Sequence, residues 1–258
     1  MQVHILASGS TGNSVLLQLG GKNILIDAGI SARRIEQGLA GVGVKAGELD
    51  GVLITHEHID HIKGLDVFIR RHKIPVYTRP GTWEGIPCRS KLPPQCCCDI
   101  YENIDIGPVR IETFPISHDA SDPVGFCFYW SKIKWTLATD LGVITPEVKQ
   151  ALAHASLAIL ESNHDMEMLQ TGPYPSFLKQ RIKGIKGHLS NLDAARLLAY
   201  AGQQGPMQVF LAHLSKQNNT PSLAERTVSG FLTEQGYEVG RDIVLNRTHA
   251  DRTASCIF

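Results

Sequence analysis

Three histidines and an aspartate fall within six positions of this chain: His56, His58, Asp60 and His61, in the stretch Thr55-His56-Glu57-His58-Ile59-Asp60-His61. Imidazole and carboxylate groups suit zinc, and also manganese or iron. Residues i and i+2 of an extended chain point to the same side, so His56 and His58 can reach one ion together. Asp60 and His61 follow where the chain turns. They point elsewhere and suit a second ion. A polar loop with solvent-exposed histidines is the plain alternative, and so dense a set of ligand types argues against it.

The elements around the stretch place it where such chemistry is held. Residues 51–54 are mostly apolar and β-prone, a buried strand. Apolar Ile62, Leu65, Phe68 and Ile69 give a helical pattern over 62–71. The histidines therefore stand where a strand ends and a helix begins, a position at which α/β proteins place function. Further strands are expected at 3–7, 15–19, 23–26, 76–78, 109–116, 125–130, 133–138, 155–160, 208–212 and 243–245. Helices are expected from the Ser31 cap to Leu39, from Thr145-Pro146-Glu147, over 192–201 after Ser190 or Asn191, and over 222–235. Residues 79–100, with Pro80, Pro87, Pro93 and Pro94, read as a loop-rich edge, and 172–175 as a turn.

Strands close at Asp27, His56, His118, Asp140, Asn163 and His213, and five of these six residues are of metal-binding type. His56, His58 and His118 would form a three-histidine site with an open position, the pattern of a catalytic zinc. Asp60, His61 and His213 would form a second site, and Asp140 would bridge the ions. Two-metal centres of this kind activate a hydroxide and clamp the substrate. Asp27 is either a turn residue or a support for the metal loop.

Composition bounds the rest. With 43% hydrophobic and 19% charged residues the chain is of ordinary globular type. Its formal net charge is zero, so any nucleic-acid contact must come from a local patch. Met1-Gln2-Val3-His4-Ile5 lacks the basic start and apolar run of a signal peptide. No apolar run spans a bilayer. These features imply a cytoplasmic protein with no membrane partner. Cysteines 88, 96, 97, 98, 127 and 256 show neither zinc-ribbon nor disulfide-framework spacing. Cys96-Cys97-Cys98 reads as reduced thiols in a loop. No linker or repeat divides the chain, so 1–258 is expected to be a single domain with two sheets face to face and helices outside.

Other stretches leave two readings open. Residues 8–14, Ser-Gly-Ser-Thr-Gly-Asn-Ser, form either a hairpin turn or a phosphate cradle. Gly187-His188-Leu189-Ser190-Asn191 is a helix-capping segment or a functional loop. Arg70-Arg71-His72-Lys73 reads as a solvated helix end. Lys179, Arg181, Lys183 and Lys186 form a second basic cluster.

The stretch from Thr55 to His61 resembles the signature of the metallo-β-lactamase fold, and Asp27, His118, Asp140 and His213 fall in order where that family's other motifs belong. The resemblance implies an α/β fold, a four-layer αβ/βα sandwich. Residues 8–14, 161–165, 187–191 and 212–216 closely resemble the bacterial WalJ (YycJ) group, described as DNA exonucleases. The inserted domain of the β-CASP nucleases and the long tRNA-holding arm of ribonuclease Z are missing. The resemblance gives the second ion's site Asp60 and a bridging Asp140 rather than the cysteine of many true β-lactamases, which resembles the phosphodiesterase and thioesterase branches. The resemblance implies two divalent ions per chain, zinc first with manganese or iron(II) as alternatives. It also implies Asp60 and His188 as catalytic residues, with Ser10, Asn13, Asn163, His188 and Ser190 around the substrate.

Two divalent ions less Asp60, Asp140 and a bridging hydroxide leave residual positive charge, which suits an anionic phosphate. The leading expectation is a phosphodiester hydrolase, a DNA exonuclease. A thioester or lactone hydrolase of glyoxalase II type is the alternative. A noncatalytic metal-stabilised binding module is a third reading, disfavoured because structural zinc sites are closed.

Overall fold

Short apolar runs supply the strands that end at the metal-type residues. The computed structural model describes residues 1–258. In chain order its elements are β1 (Gln2–Ala7), β2 (Ser14–Leu19), β3 (Lys22–Ile26), α1 (Ala32–Gly41), β4 (Gly51–Leu53), α2 (Ile59–Ile62), α3 (Leu65–His72), β5 (Val76–Thr78), α4 (Pro80–Gly85), β6 (Cys97–Asp99), β7 (Asn103–Ile106) and β8 (Val109–Pro115). Then follow β9 (Val124–Trp130), β10 (Ile133–Ala138), α5 (Pro146–Leu152), β11 (Leu157–Glu161), α6 (Met166–Thr171), α7 (Ser176–Lys183), α8 (Asn191–Gly202), β12 (Met207–Ala212), α9 (Pro221–Glu234), β13 (Ile243–Arg247) and β14 (Ala254–Ile257). One seven-stranded sheet has the order β14-β1-β2-β3-β4-β5-β6, and the other β13-β12-β11-β10-β9-β8-β7.

The chain divides into two compact units, one of Met1–Thr113, Ala120–Val124 and His249–Phe258, the other of Phe114–Asp119 and Gly125–Thr248. In the first, β2 and β3 form the expected hairpin, and β3, β4, β5 and β6 run parallel. Helix α1 buries Ile35 and Leu39, and α3 buries Phe68 and Ile69, in one apolar cluster with Leu16, Leu25, Val52 and Ile54. In the second, β9 and β10 are an antiparallel hairpin, and β10, β11, β12 and β13 run parallel. Helices α5, α8 and α9 cover them through Val148, Leu152, Leu197, Leu198, Val228 and Leu232. Oxygen caps start these helices: Thr145, Ser190 and Thr220 each accept the backbone N–H three residues on. In a parallel stack all C-terminal ends lie at one edge, so each unit gathers its strand-end residues there.

Several expectations are corrected. Residues 79–100 hold α4 and the strand β6, which exists by pairing with β5. Cys97 and Cys98 therefore belong to a strand rather than a loop, and all six cysteines are free thiols. The helix read over 62–71 begins at Ile59 and breaks at Lys63 and Gly64. There a Gly64 Cβ would stand 2.2 Å from the Ile30 carbonyl oxygen, so only glycine fits. Strands β7 and β14 and helices α6 and α7 had no sequence reading. They are short or carry no buried stripe, and α7 has no buried residue at all. No helix is long and apolar enough to cross a membrane.

His164, just after β11, is 1% exposed, and its backbone carbonyl accepts the N–H of Asn191 at the start of α8. Burial pushes its imidazole down to about 4. Unfolded, a histidine titrates near 6.5. Between those values the unfolded chain binds a proton that the folded chain refuses. Stability contributed by neutral His164 is thus fully present above about 6.5 and is lost as pH falls towards 4, by roughly 3 kcal/mol in all. Thermal unfolding of the wild type and of His164→Asn, compared at pH 7.5, 6 and 5, should show the steeper fall in the wild type. Parallel falls would assign the acid sensitivity to other groups.

Candidate functional site

In the first unit the stretch from Thr55 to His61 follows β4 and turns into α2. The His56 ring lies 4.6 Å from that of His58 and 4.1 Å from that of His61, between centroids, and His61 Nε2 is 3.6 Å from Asp60 Oδ2. The structure brings these four residues together. What holds them is Asp27, directly after β3 and 3% exposed. Its Oδ2 is 2.7 Å from His61 Nδ1, and its Oδ1 accepts the Thr55 backbone N–H at 2.9 Å. The Thr55 hydroxyl lies within 3.1 Å of both Asp27 oxygens and 3.0 Å from His56 Nδ1. Carboxylate oxygens accept only, so His61 carries its proton at Nδ1 and its Nε2 is an acceptor. In keeping with that tautomer, Asn13 Nδ2 donates to His61 Nε2 at 3.2 Å.

The neighbouring loops are locked by close approach. The Asn13 backbone N–H donates to Asp60 O at 2.8 Å, and the Gly29 N–H to Asn13 O at 2.9 Å. A Cβ on Gly29 would stand 1.6 Å from Asp60 O, so only glycine lets the two loops meet. Asn13 Oδ1 also accepts the Gly9 N–H at 3.0 Å. The side chain of Asn13 is thus held within the protein, while Ser10 at the loop tip is exposed. Glu57, inside the ligand stretch, accepts both the N–H and the hydroxyl of Ser121, at 2.8 and 2.7 Å.

The second unit repeats the device with a different acid. Glu161, the last residue of β11, is fully buried. Its Oε1 accepts from Nδ1 of His188 at 2.9 Å and of His213 at 2.8 Å. Its Oε2 accepts the backbone N–H of Leu141 at 2.8 Å and of Leu189 at 3.0 Å. One carboxylate thereby fixes the loops after β10, before α8 and after β12. Burial alone would raise Glu161, but the charges and hydrogen bonds of His188 and His213 hold it well below the usual carboxylate range. Burial likewise would lower His188, and the Glu161 charge and hydrogen bond override it, so His188 titrates above its ordinary value. His118 is pushed down by burial, opposed chiefly by Asp140. Its Nδ1 is 3.3 Å from the Gly187 carbonyl oxygen. Ligand-type atoms of Asp140, Glu161, His188 and His213 lie within 4.8 Å of one another. The His188 ring stands 5.2 Å from each of the His118 and His213 rings.

Three of these strand-end residues adopt left-handed backbone: Asp27 at φ 58°, Asp140 at φ 62° and His213 at φ 53°. Such conformations cost about 1–3 kcal/mol each and gather where function requires them. Of the other residues expected near substrate, Asn163 donates to His213 O at 2.8 Å, and Ser190 both caps α8 and donates to Asp193 at 2.6 Å. Both side chains are engaged in holding loops. His188, with a side chain 20% exposed, remains open. The sequence reading passed over Glu161. Its signal was a single acid closing the apolar run Leu157–Glu161.

The residues fit divalent ions. His61 and His213 have Nδ1 on a carboxylate, and His118 has it by a carbonyl, the arrangement that orients a metal-binding imidazole through its other nitrogen. Asp60 and Asp140 supply hard oxygen donors beside them.

A family model described as beta-lactamase superfamily domain matches residues 22–214. The exodeoxyribonuclease YycJ of Bacillus anthracis is 37% identical, over 95% of this chain and 94% of its own. The exodeoxyribonuclease WalJ of Streptococcus pneumoniae serotype 2 (strain D39) is 35% identical, over 96% and 94%. The crystal structure of YhfI from Bacillus subtilis, a metallo-β-lactamase fold protein, superposes with a TM-score of 0.71 at 17% identity, covering 99% of this chain and 98% of that one. That likeness shows the fold, the α/β sandwich expected from the sequence.

Asp27→Ala and Glu161→Ala should each weaken metal affinity by about 10–100-fold, the usual effect of removing a partner that orients a ligand. Chelator competition on the reconstituted variants measures this, with circular dichroism to confirm folding. Unchanged affinity in a folded variant would show that these acids do not support metal ligands.

Proposed function

The chain belongs to the metallo-β-lactamase superfamily of metal-dependent hydrolases, and from that premise we propose that it is a dinuclear phosphodiester hydrolase, a DNA exonuclease. His56, His58 and His118 are proposed to hold one ion, Asp60, His61 and His213 the other, and Asp140 to bridge them. When bound, the ions supply positive charge for the phosphoryl oxygens and activate water at neutral pH. The remaining work falls to the chain. Asp27 and Glu161 orient the imidazoles. The exposed loop at Ser10 and the basic Arg33, Arg34, Lys63, Lys179, Arg181, Lys183 and Lys186 contact phosphates. Asn13, Asn163 and Ser190 keep the loops that face substrate in place.

One observation favours a phosphodiester over a thioester: His188, held by Glu161 through Nδ1 beside Asp140 and His213 and partly open to solvent. With Nδ1 committed to Glu161, Nε2 is the atom that delivers a proton to a leaving oxygen. A sugar alkoxide needs that proton. A thiol has a pKa near 8.5 and leaves as thiolate without help. The DNA preference and the action from strand ends are carried over from the two relatives named exodeoxyribonucleases. The formal net charge of zero predicts modest, salt-sensitive binding with a shallow slope set by few phosphates.

Elemental analysis of protein reconstituted with excess zinc or manganese should give two ions per chain, and a stoichiometry of one or less would remove the dinuclear reading. His188→Ala should cut turnover by about 10²–10⁴-fold, the range of a general acid, with metal content kept at two. Loss of metal would make His188 a ligand, and unchanged turnover a bystander. The loaded enzyme should shorten linear labelled DNA progressively, and Asp60→Ala and His118→Ala should not. Nicking of closed circular DNA at the same rate would remove the exonuclease claim. Turnover of S-lactoylglutathione with all nucleic acids intact would transfer the assignment to the thioesterase reading.

A further inference from the structure

Ile59 stands between His58 and Asp60, and it is 69% exposed. Packing does not account for it. It opens the four-residue helix α2, where a β-branched side chain gains nothing for the helix. The core contact of that turn is made by Ile62, which is buried in one apolar cluster with Leu65 and Phe68, and Ile59 lies outside the cluster. The two sides of the turn differ: His61 and Ile62 are buried, His58 and Asp60 are half-buried, and Ile59 is open. The open side therefore carries one apolar side chain flanked by two proposed ligands. One turn on, the Lys63 backbone N–H donates to Ile59 O at 2.9 Å, so side chains 59 and 63 share a face. Lys63 is exposed and forms no ion pair, whereas Arg70 and Arg71 of α3 are held by Asp66 and Glu36.

A nucleotide offers the matching pair, an apolar sugar carbon next to a charged phosphate. In DNA the sugar C2′ is a methylene. In RNA it carries a hydroxyl, the group by which proteins tell the two polymers apart. Against a branched aliphatic side chain that hydroxyl would lose its water and gain no partner, and a buried hydroxyl without a partner is costly. An apolar contact that merely disfavours an added hydroxyl discriminates by up to about a hundredfold.

Building on the nuclease reading above, we propose that Ile59 is the residue that discriminates the sugar: its side chain packs on the C2′ methylene of the nucleotide at the metal centre, and Lys63 binds a neighbouring phosphate. The preference for DNA over RNA is thereby set beside the ligands themselves, by one exposed aliphatic group.

The test uses the metal-loaded full chain and three probes: a labelled linear DNA duplex, the same duplex with ribonucleotides at the ends of both strands, and bis(p-nitrophenyl) phosphate, which has no sugar. Wild type should favour the all-deoxy ends in kcat/KM by about five- to a hundredfold. Ile59→Thr keeps the branched shape and adds a hydroxyl that can pair with the 2′-hydroxyl. It should narrow that ratio by about fivefold or more, and Ile59→Val should keep it within about twofold. Rates on bis(p-nitrophenyl) phosphate normalise each variant for any change at the ions. An unchanged ratio in Ile59→Thr, or a wild type that takes both kinds of end equally, overturns the sugar contact and leaves the nuclease reading intact. Equal narrowing in Ile59→Thr and Ile59→Val also overturns it, since that marks a loosened turn rather than a paired hydroxyl. A wild type that cleaves the small ester but no nucleic acid overturns both.

Discussion

Two buried carboxylates, each at the end of a parallel strand and each gripping imidazole Nδ1 atoms, are the constraint on which the rest of the site depends. Asp27 closes β3 and holds His61 and Thr55, and Glu161 closes β11 and holds His188 and His213. An ionised acid inside a protein is expensive unless every lone pair has a donor. Glu161 meets that condition with two backbone N–H groups and two imidazoles, and Asp27 engages both oxygens through the Thr55 N–H and hydroxyl and the His61 imidazole, so loss of a partner would leave buried charge under-compensated. The apolar strands fix where these acids stand, and the acids in turn fix which imidazole nitrogen faces outward.

The loops carry matching restrictions. Asp27, Asp140 and His213 leave their strands in left-handed backbone, and Gly29, Gly64 and Gly142 admit neighbouring chain where a Cβ would collide. A strand that continued in extended backbone would send its next side chain to the opposite face. The left-handed turn redirects the residue at the strand end. Strain at these positions is affordable because burial in two large apolar clusters over-determines them.

Much of this was legible because it is local. The ligand stretch, the hairpin of β2 and β3, the Ser31 and Thr145 caps and the strand ends at Asp27, Asp140 and His213 are patterns of a few neighbouring residues. What escaped was set by distant partners. Strand β6, Cys-Cys-Asp, has no β signature and pairs because β5 offers an edge. Helix α7 is short and buries no residue fully, so its half-buried Leu178 and Ile182 give only a weak helical signal. Glu161 was passed over in favour of Asn163, although both stand at the same strand end. Only the fold shows that the acid points to two histidines from other loops, and that Asn163 is occupied with the His213 carbonyl. For Ser190 the capping half of the reading is what its hydroxyl is engaged in.

The two acids are alike in geometry but differ in consequence. Asp27 touches one candidate ligand ring directly and a threonine that serves a second, so it bears on coordination alone. Glu161 divides one oxygen between His213, a proposed ligand, and His188, a proposed proton donor. Charge drawn from His213 by an ion would change how strongly Glu161 holds the His188 proton. On the proposed roles, ion binding and leaving-group protonation would be coupled through a single carboxylate. A glutamate, one methylene longer than aspartate, has the reach to serve two rings and two backbone amides at once, whereas Asp27 needs to span only the gap between neighbouring strands β3 and β4.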